Sequence, residues 1–350
     1  MDSIFVVPTG ILIMPLRSSL IFLIVLSACE TAIDINIPGD YTPVLVVDGE
    51  FNPDSIWSVE ISKSLPLGSS INPSELFIQD ATVKILGESG QGETLVHTGN
   101  GVFRSQRGTR PAIGEVYRLD VVSLGFESVY STSHSPRLES AILDIQAVGT
   151  ERPDEPLYRL RFSVTDLPGK SYYQVWIDQV ILSCFREGFT RRSDEPEGVP
   201  AYHKMQFESP EPSFYHDAST LDEPPNALNQ WNGAFWIPYF SDRLFEDDVH
   251  EFEIFIRPFI SEIEPLMRFR LVVSSLSEEL VLHKRSFILQ DEYLFGSDPI
   301  LGNPINIYSN IEGGLGIFSG YTSNSYRVDA DGNEWTESEI GLGETLPPCN

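Results

Sequence analysis

Apolar and polar residues alternate along most of the chain, and this period of two predicts β-strands rather than helices. Between residues 44 and 136, turn residues separate about seven such segments at intervals of roughly 8–12 residues, a spacing typical of small β-sandwiches. Two of these segments place their apolar residues on one face: Trp57, Val59 and Ile61 in one, and Tyr117, Leu119 and Val121 in the other. We therefore predict an immunoglobulin-like β-sandwich over residues 44–136.

The alternation resumes after this segment and predicts a second, C-terminal β-rich domain over residues 137–345, with the boundary near residues 134–140. Its predicted inward residues are Tyr158, Leu160, Phe162 and Val164, then Phe252, Ile254 and Ile256, then Phe269, Leu271 and Val273. The predicted fold class is therefore all-β (mainly β), with two β-sandwich-like domains.

The period changes to that of a helix at a single place in the second domain. Ser275-Leu276-Ser277-Glu278 fits a capping box, and Leu276, Leu280 and Phe287 fall on one helical face. This pattern predicts one short helix that ends at about Leu289.

Residues 186–230 follow neither period, are rich in Pro, Asp and Glu, and are predicted to form a long loop insertion. The insertion is either an unstructured excursion or a binding loop, and it leads directly into a segment rich in aromatic residues. We select Trp231, Phe235, Trp236 and Tyr239 from this segment as the candidate ligand or partner surface, because exposed aromatic side chains stack on sugar rings or anchor protein partners. Burial of the same side chains in the core is the alternative.

The N-terminal residues have the layout of a secretory signal. Arg17 precedes the apolar run Leu20-Ile21-Phe22-Leu23-Ile24-Val25, and small residues follow it. The next residues, Leu26-Ser27-Ala28-Cys29, resemble a bacterial lipobox, in which a peptidase cuts before the cysteine and the thiol is acylated. The run is shorter than the about 20 apolar residues of a membrane-spanning helix, which disfavours a signal anchor. We predict lipidation of Cys29; an ordinary cleaved signal with a free cysteine is the alternative.

This interpretation divides the N-terminal part of the chain. Residues 1–28 form the signal peptide, and residues 29–43, which contain Pro38 and Gly39, form a tether between the lipid and the fold. Residues 1–13 contain an acidic residue and no basic one, so Met14 is a better candidate than Met1 for the start of the signal. The expected attachment to the membrane is the N-terminal lipid.

The composition describes a folded, strongly acidic protein. Apolar residues make up 41% of the 350 residues, which is enough for a packed core. The chain has 51 Asp and Glu residues against 23 Lys and Arg residues, and its formal net charge is −28. Because such a charge repels the phosphate backbone, nucleic acid is not an expected partner.

Motif searches favour no enzyme class. The six histidines are scattered without the spacing of a zinc protease, and a Gly-x-Ser-x-Gly nucleophile elbow is absent. Gly313-Gly314-Leu315-Gly316 lacks the Lys-Ser/Thr of a phosphate loop and is interpreted as a turn or a close backbone approach. We predict no catalytic residues, no metal site and no cofactor. Cys184 and Cys349 form either one disulfide or two free thiols, since spacing cannot decide their pairing.

Several motifs together resemble the DUF4249 lipoproteins of Bacteroidota-type bacteria. They are the lipobox with its acidic tether, Pro43-Val44-Leu45-Val46-Val47-Asp48-Gly49, Val116-Tyr117-Arg118-Leu119-Asp120-Val121, and Asn310-Ile311-Glu312-Gly313-Gly314-Leu315-Gly316-Ile317-Phe318. The resemblance implies an envelope lipoprotein associated with TonB-dependent outer-membrane receptors. The family has no established activity, so no catalytic residue carries over.

These observations lead to one expected function and two alternatives. We expect an outer-membrane lipoprotein without catalytic activity, on either side of that membrane, that is an accessory or binding partner of a TonB-dependent transporter in nutrient uptake. One alternative is an envelope carbohydrate-active enzyme, which requires two carboxylates facing each other across a cleft. The other is a surface adhesin or structural protein, which would present a flat surface.

The lipidation of Cys29 can be tested directly. Cys29→Ala is expected to abolish acylation and to release the protein from the membrane fraction, because the lipid is the expected attachment. Metabolic labelling with a clickable fatty acid, followed by cell fractionation, measures both effects. Label retained on the variant, or a wild-type protein that is soluble after lysis, would contradict the lipoprotein interpretation.

Overall fold

Strands dominate the part of the chain that the structure describes. A computed structural model describes residues 41–66, 72–149, 156–182, 200–214, 230–231, 234–235, 238–244, 248–258, 267–296 and 306–336. The first seven strands are β1 (Leu45–Phe51), β2 (Ser58–Lys63), β3 (Thr82–Gly87), β4 (Gly92–Gly99), β5 (Val102–Arg104), β6 (Val116–Val122) and β7 (Val129–His134).

The second set of strands follows after a short connection. It comprises β8 (Ser140–Val148), β9 (Leu157–Thr165), β10 (Tyr172–Leu182), β11 (Pro200–Met205), β12 (Phe207–Glu208), β13 (Gln230–Trp231), β14 (Ala234–Phe235), β15 (Tyr239–Ser241), β16 (Val249–Ile256), β17 (Arg268–Leu276) and β18 (Leu315–Asp329). The helical elements are the turn α1 (Pro73–Leu76), the helix α2 (Glu278–Gly296) and two 3-10 turns at Pro212–Phe214 and Asp242–Leu244. The prediction of a mainly β fold is confirmed.

The first seven strands form a curled sheet in the order β1-β2-β5-β4-β3-β6-β7. Strand β4 makes the corner, because residues 92–95 pair with β3 and residues 96–99 pair with β5. The two layers enclose a core that contains the predicted inward residues, including Val59, Ile61, Leu119 and Val121, each at most 1% exposed. The sandwich therefore follows from the alternation seen in the sequence.

A second core lies between two layers of the later strands. One layer has the order β11-β10-β17-β18, and the other has the order β13-β14-β12-β16-β9-β8. Their facing side chains form one cluster that includes Leu160, Phe162, Phe252, Ile254, Leu271 and Val273. These residues are the inward residues that the alternation predicts.

Strand β18 connects the two cores. Its first half, Leu315 to Gly320, runs parallel to β1, and its second half, Tyr321 to Asp329, runs antiparallel to β17. Phe318 consequently packs in the first core and Val328 in the second. Residues 43–350 form one compact unit with two cores, and the division into separable domains near residues 134–140 stays a prediction.

Glycine is required where β18 approaches its neighbours. Gly316 has a φ of +106°, and a Cβ at this position would lie 1.9 Å from the carbonyl oxygen of Val47. A Cβ at Gly320 would lie 2.3 Å from the carbonyl oxygen of His134. The Asn310 side chain extends the pairing, since its Nδ2 donates to the Phe318 carbonyl at 2.7 Å and its Oδ1 accepts from the Phe318 amide at 2.9 Å. The interpretation of the glycine motif as a close backbone approach is supported.

The interpretation of residues 186–230 as a surface loop insertion is wrong for the part that the structure describes. Strands β11 and β12 and the turn Pro212–Phe214 lie within this segment, and Met205, Phe207 and Phe214 are buried in the second core. The segment gave no sustained alternation because β11, with the sequence Pro-Ala-Tyr-His-Lys-Met, does not alternate regularly between apolar and polar residues, and β12 has only two residues. Residues 186–199 and 215–229 lie outside the described residues.

The predicted helix is present, but its bounds differ. Helix α2 has 19 residues and begins at Glu278, so it is longer than expected. Ser275 and Leu276 belong to strand β17, and the carbonyl of Ser277 accepts from the amides of Leu280 and Val281, so the capping box at Ser275 is wrong. Leu280 is buried, as the pattern predicted, whereas Phe287 is 49% exposed. The two residues therefore do not belong to one buried face of the helix.

A glycine substitution tests the approach of β18 to β1. Gly316→Ala is expected to lower the free energy of unfolding by at least about 3 kcal/mol, because the new Cβ meets the Val47 carbonyl in a left-handed backbone conformation. Gly149→Ala is the matched control, since nothing lies within 4 Å of a Cβ at that position. Urea unfolding measures both variants, and equal stabilities would contradict the close approach.

Candidate functional site

A cleft of about 290 Å³ lies on the outer face of the sheet at the junction of the two cores. Its walls come from strands β1, β10, β15, β17 and β18 and from helix α2. The lining residues are Glu50, Gln174, Trp176, Tyr239, Ser274, Leu276, Leu280, Lys284 and Tyr321. The cleft is therefore assembled from segments that are far apart in the sequence.

Strand register brings the lining residues together. Gln174 on β10 is the cross-strand neighbour of Tyr239 on β15 and of Ser274 on β17. Leu276 is in turn paired with Tyr321 on β18. Because side chains on a strand alternate between faces, these residues share the outer face while their sequence neighbours fill the second core. The alternation that builds the core also builds the cleft.

The base of the cleft is partly polar. Ser274 is 1% exposed and shares a hydrogen bond of 2.7 Å with the hydroxyl of Ser323. Leu276 and Leu280 are also buried and supply apolar surface beside it. The floor of the cleft thus combines aliphatic carbon with a serine pair whose hydroxyl groups bond each other, and the half-buried Gln174 is the more accessible polar group beside it.

Aromatic side chains form the walls. Trp176 lies half-buried on β10, and the Lys204 ammonium is 5.2 Å from its ring centroid. Burial and, to a smaller extent, the nearby Glu50 carboxylate raise the pKa of Tyr239 to about 12, although a side-chain hydrogen bond with Gln174 acts to lower it. Burial also raises the pKa of Tyr321, whose hydroxyl accepts a hydrogen bond of 2.7 Å from Asn52 Nδ2. Both tyrosines therefore keep their protons at neutral pH and can donate hydrogen bonds.

The charged groups at the rim neutralise each other. Glu50 Oε1 on β1 accepts a hydrogen bond from Lys284 Nζ on helix α2, and both side chains are about one-third exposed, at 32% and 37%. This ion pair joins the helix to the first sandwich. Because the two charges cancel, this pair adds no net charge to the rim of the cleft.

Helix α2 is held over the sheet by a second set of contacts. Tyr172, Leu276, Leu280 and Val281 form a small apolar cluster, against which Tyr239 and Tyr321 pack. The Tyr172 hydroxyl donates to Glu278 Oε1 at 2.5 Å, and Lys170 Nζ donates to the same oxygen at 3.0 Å. These contacts fix the helical wall of the cleft.

The residues that the sequence selected have different outcomes. Tyr239 lines the cleft, and the backbone of Phe235 pairs with that of Phe207. Trp231 lies in strand β13, while Trp236, Cys29, Cys184 and Cys349 lie outside the described residues. The ligand or partner role of the four aromatic residues, the lipidation and the disulfide all stay predictions.

Sequence reasoning missed most of the cleft. Gln174 and Trp176 alternate with the core residues Tyr173, Val175 and Ile177, so their outward position was implicit in the pattern. A tryptophan at an outward position of a long strand was the feature of the sequence that could have indicated a binding surface. Nothing in the local sequence indicated that Lys284 or Tyr321 would join it.

Two further findings concern metals and membranes. Within the described ranges, no group of three or more His, Cys, Asp or Glu side chains is arranged to hold a metal ion. Among the same residues, no helix has both the length and the hydropathy needed to cross a bilayer.

Comparison with known protein families identifies the family of the chain. Residues 30–327 match DUF4249, a domain of unknown function. Because this match covers most of the chain, the protein belongs to the DUF4249 family, and the resemblance found in the sequence is confirmed. No curated protein matches the chain.

Solved structures show only distant likenesses. Salmonella alpha-2-macroglobulin reacted with methylamine is 13% identical with a TM-score of 0.22, and the match covers 70% of this chain and 14% of that chain. The full-length major pilin SpaD from Corynebacterium diphtheriae is 6% identical with a TM-score of 0.19, over 83% of this chain and 68% of that chain. Likenesses at these TM-scores carry no argument about function.

The anchoring of helix α2 predicts a pH effect. The hydrogen bonds from Tyr172 and Lys170 lower the pKa of Glu278 below its ordinary value of 4.5. The folded protein thus binds this proton more weakly than the unfolded chain does, so the stabilisation is present above the unfolded pKa and is lost as the pH falls through the folded pKa. Glu278→Gln is expected to lower the free energy of unfolding by less than about 1 kcal/mol at pH 7, since Glu278 and Lys170 are both about half exposed. The variant is also expected to lose less stability than the wild type when the pH falls.

Urea unfolding at a series of pH values between neutral and acid measures this effect. Glu127→Gln, an exposed carboxylate in the loop between β6 and β7, is the control. A pH profile of Glu278→Gln that matches those of the wild type and the control would contradict the anchoring role.

Proposed function

We propose that the protein is a lipid-anchored, non-catalytic binding protein of the outer membrane that serves as an accessory partner of a TonB-dependent transporter in nutrient uptake. In this proposal the lipid on Cys29 holds the chain at the membrane. The β-rich unit carries the ligand cleft and the surface that meets the transporter.

The observation that carries the binding role is the cleft beside helix α2. Small-molecule sites are typically concave, with apolar and aromatic walls and a few polar groups that orient the ligand. Trp176, Tyr239 and Tyr321 supply the aromatic walls, and Gln174 and the tyrosine hydroxyl groups supply polar atoms. Such a site favours a binding protein over an adhesin with a flat surface.

The charges of the cleft favour binding over glycoside hydrolysis. Hydrolysis of a glycosidic bond generally needs two carboxylates that flank the bond. Among the described residues that line the cleft, Glu50 is the one carboxylate, and it is paired with Lys284.

The anchor and the family support the location and the partner. The segment from Arg17 to Cys29 has the layout of a lipoprotein signal. The resemblance to DUF4249 lipoproteins implies association with TonB-dependent receptors, and membership of that family extends over residues 30–327.

Co-purification tests the partner. A tagged chain extracted with mild detergent from outer membranes of its native host is expected to retain a TonB-dependent transporter, identified by mass spectrometry. A Cys29→Ala chain is the matched control, because it lacks the membrane attachment. An anchored protein that repeatedly purifies without any such transporter would contradict the proposal.

Alanine variants of Trp231 and Trp236 test whether these residues form the partner surface. If they do, each variant is expected to leave the melting temperature nearly unchanged and to weaken co-purification. A tryptophan in the core would instead cost about 3–5 kcal/mol of stability. Thermal unfolding and co-purification of the same samples separate the two outcomes, and unfolded variants would place the partner surface elsewhere.

A further inference from the structure

We propose that the cleft beside helix α2 binds one neutral saccharide unit, stacked on Trp176 and hydrogen-bonded by Tyr239, Tyr321 and Gln174. This inference rests on the proposed function and names the class of ligand for its binding role.

The size of the cleft limits the ligand. A volume of about 290 Å³ lies just below the range of roughly 300–1,000 Å³ that is typical of small-molecule sites. A single pyranose ring, alone or at the end of a longer chain, matches this space, whereas a folded protein segment does not. The cleft therefore fits a ring-sized ligand.

The walls match the two kinds of surface on a sugar ring. The C–H groups of a pyranose form an apolar patch, which packs on a flat aromatic ring such as Trp176. The hydroxyl groups of the sugar both donate and accept hydrogen bonds. Gln174 can do the same, and the protonated Tyr239 and Tyr321 donate.

The charge of the site selects a neutral ligand. Glu50 and Lys284 are paired with each other, so a ligand need not supply a compensating charge. A formal net charge of −28 on the chain opposes the approach of anions. A neutral sugar leaves the pair between Glu50 and Lys284 intact.

Calorimetric titration of the purified full chain tests the proposal. The sugar probes are glucose, galactose, mannose, xylose, N-acetylglucosamine, maltose and cellobiose, and the zwitterionic probes are leucine, tyrosine and glycylglycine. At least one sugar is expected to bind with a Kd in the millimolar range or tighter. Its Kd is expected to be the same at low and high salt, because the sugar itself carries no charge.

Variants assign the binding to the cleft. Trp176→Ala is expected to weaken sugar binding by about tenfold or more, and Trp176→Phe, which keeps an aromatic face, is expected to restore much of it. Tyr239→Phe removes one donor and is expected to weaken binding less. Tyr130→Ala is the matched control, since this aromatic residue is 44% exposed on β7, outside the cleft.

Three results would overturn the proposal. They are the absence of binding by every sugar probe up to about 50 mM, sugar binding that is unchanged in both Trp176→Ala and Tyr239→Phe, and salt-sensitive binding of a zwitterionic probe in place of a sugar. If the transporter still co-purifies in any of these cases, the ligand class is wrong and the proposed function stands. Loss of the transporter with intact sugar binding would contradict the proposed function alone.

Discussion

The close contact between the backbones of β18 and β1 is the constraint on which the rest of the structure depends. The carbonyl of Val47 occupies the place where a side chain at Gly316 would lie, so the parallel pairing requires glycine there. Through this pairing one strand closes the first sandwich, and it then continues as a member of the second. A substitution at the contact would disturb both cores at once.

The same strand positions the cleft. Glu50 on β1 lies beside Ser319, and Tyr321 follows two residues later on the outer face. Where β18 passes from one sandwich to the other, these residues meet the outer face of β10 and β17. Helix α2 covers this crossing through its apolar cluster and through the pairs that Glu50 and Glu278 make with lysines. The cleft is thus a consequence of how the two cores are joined.

The sequence predicted the parts of the fold that depend on local alternation. The inward residues of β2, β6, β9, β16 and β17 were identified because one apolar face per strand is a strong periodic signal. The sequence did not predict that β18 joins the two cores, because its pairing with β1 brings together residues that are far apart in the chain. Strand β11 was missed because its residues do not alternate regularly between apolar and polar, and β12 was missed because two residues are too few to show a period. Of the cleft, only Tyr239 was selected, because aromatic clustering is visible locally whereas cross-strand register is not.

The central claim is that the junction cleft is a ligand site, and a crystal structure of the chain soaked with its tightest-binding sugar tests it most directly. The account predicts one ring against Trp176, with hydroxyl groups within hydrogen-bond distance of Tyr239 and Tyr321 and with the Glu50–Lys284 pair intact. A sugar bound elsewhere on the chain, with the cleft filled by solvent alone, would contradict it.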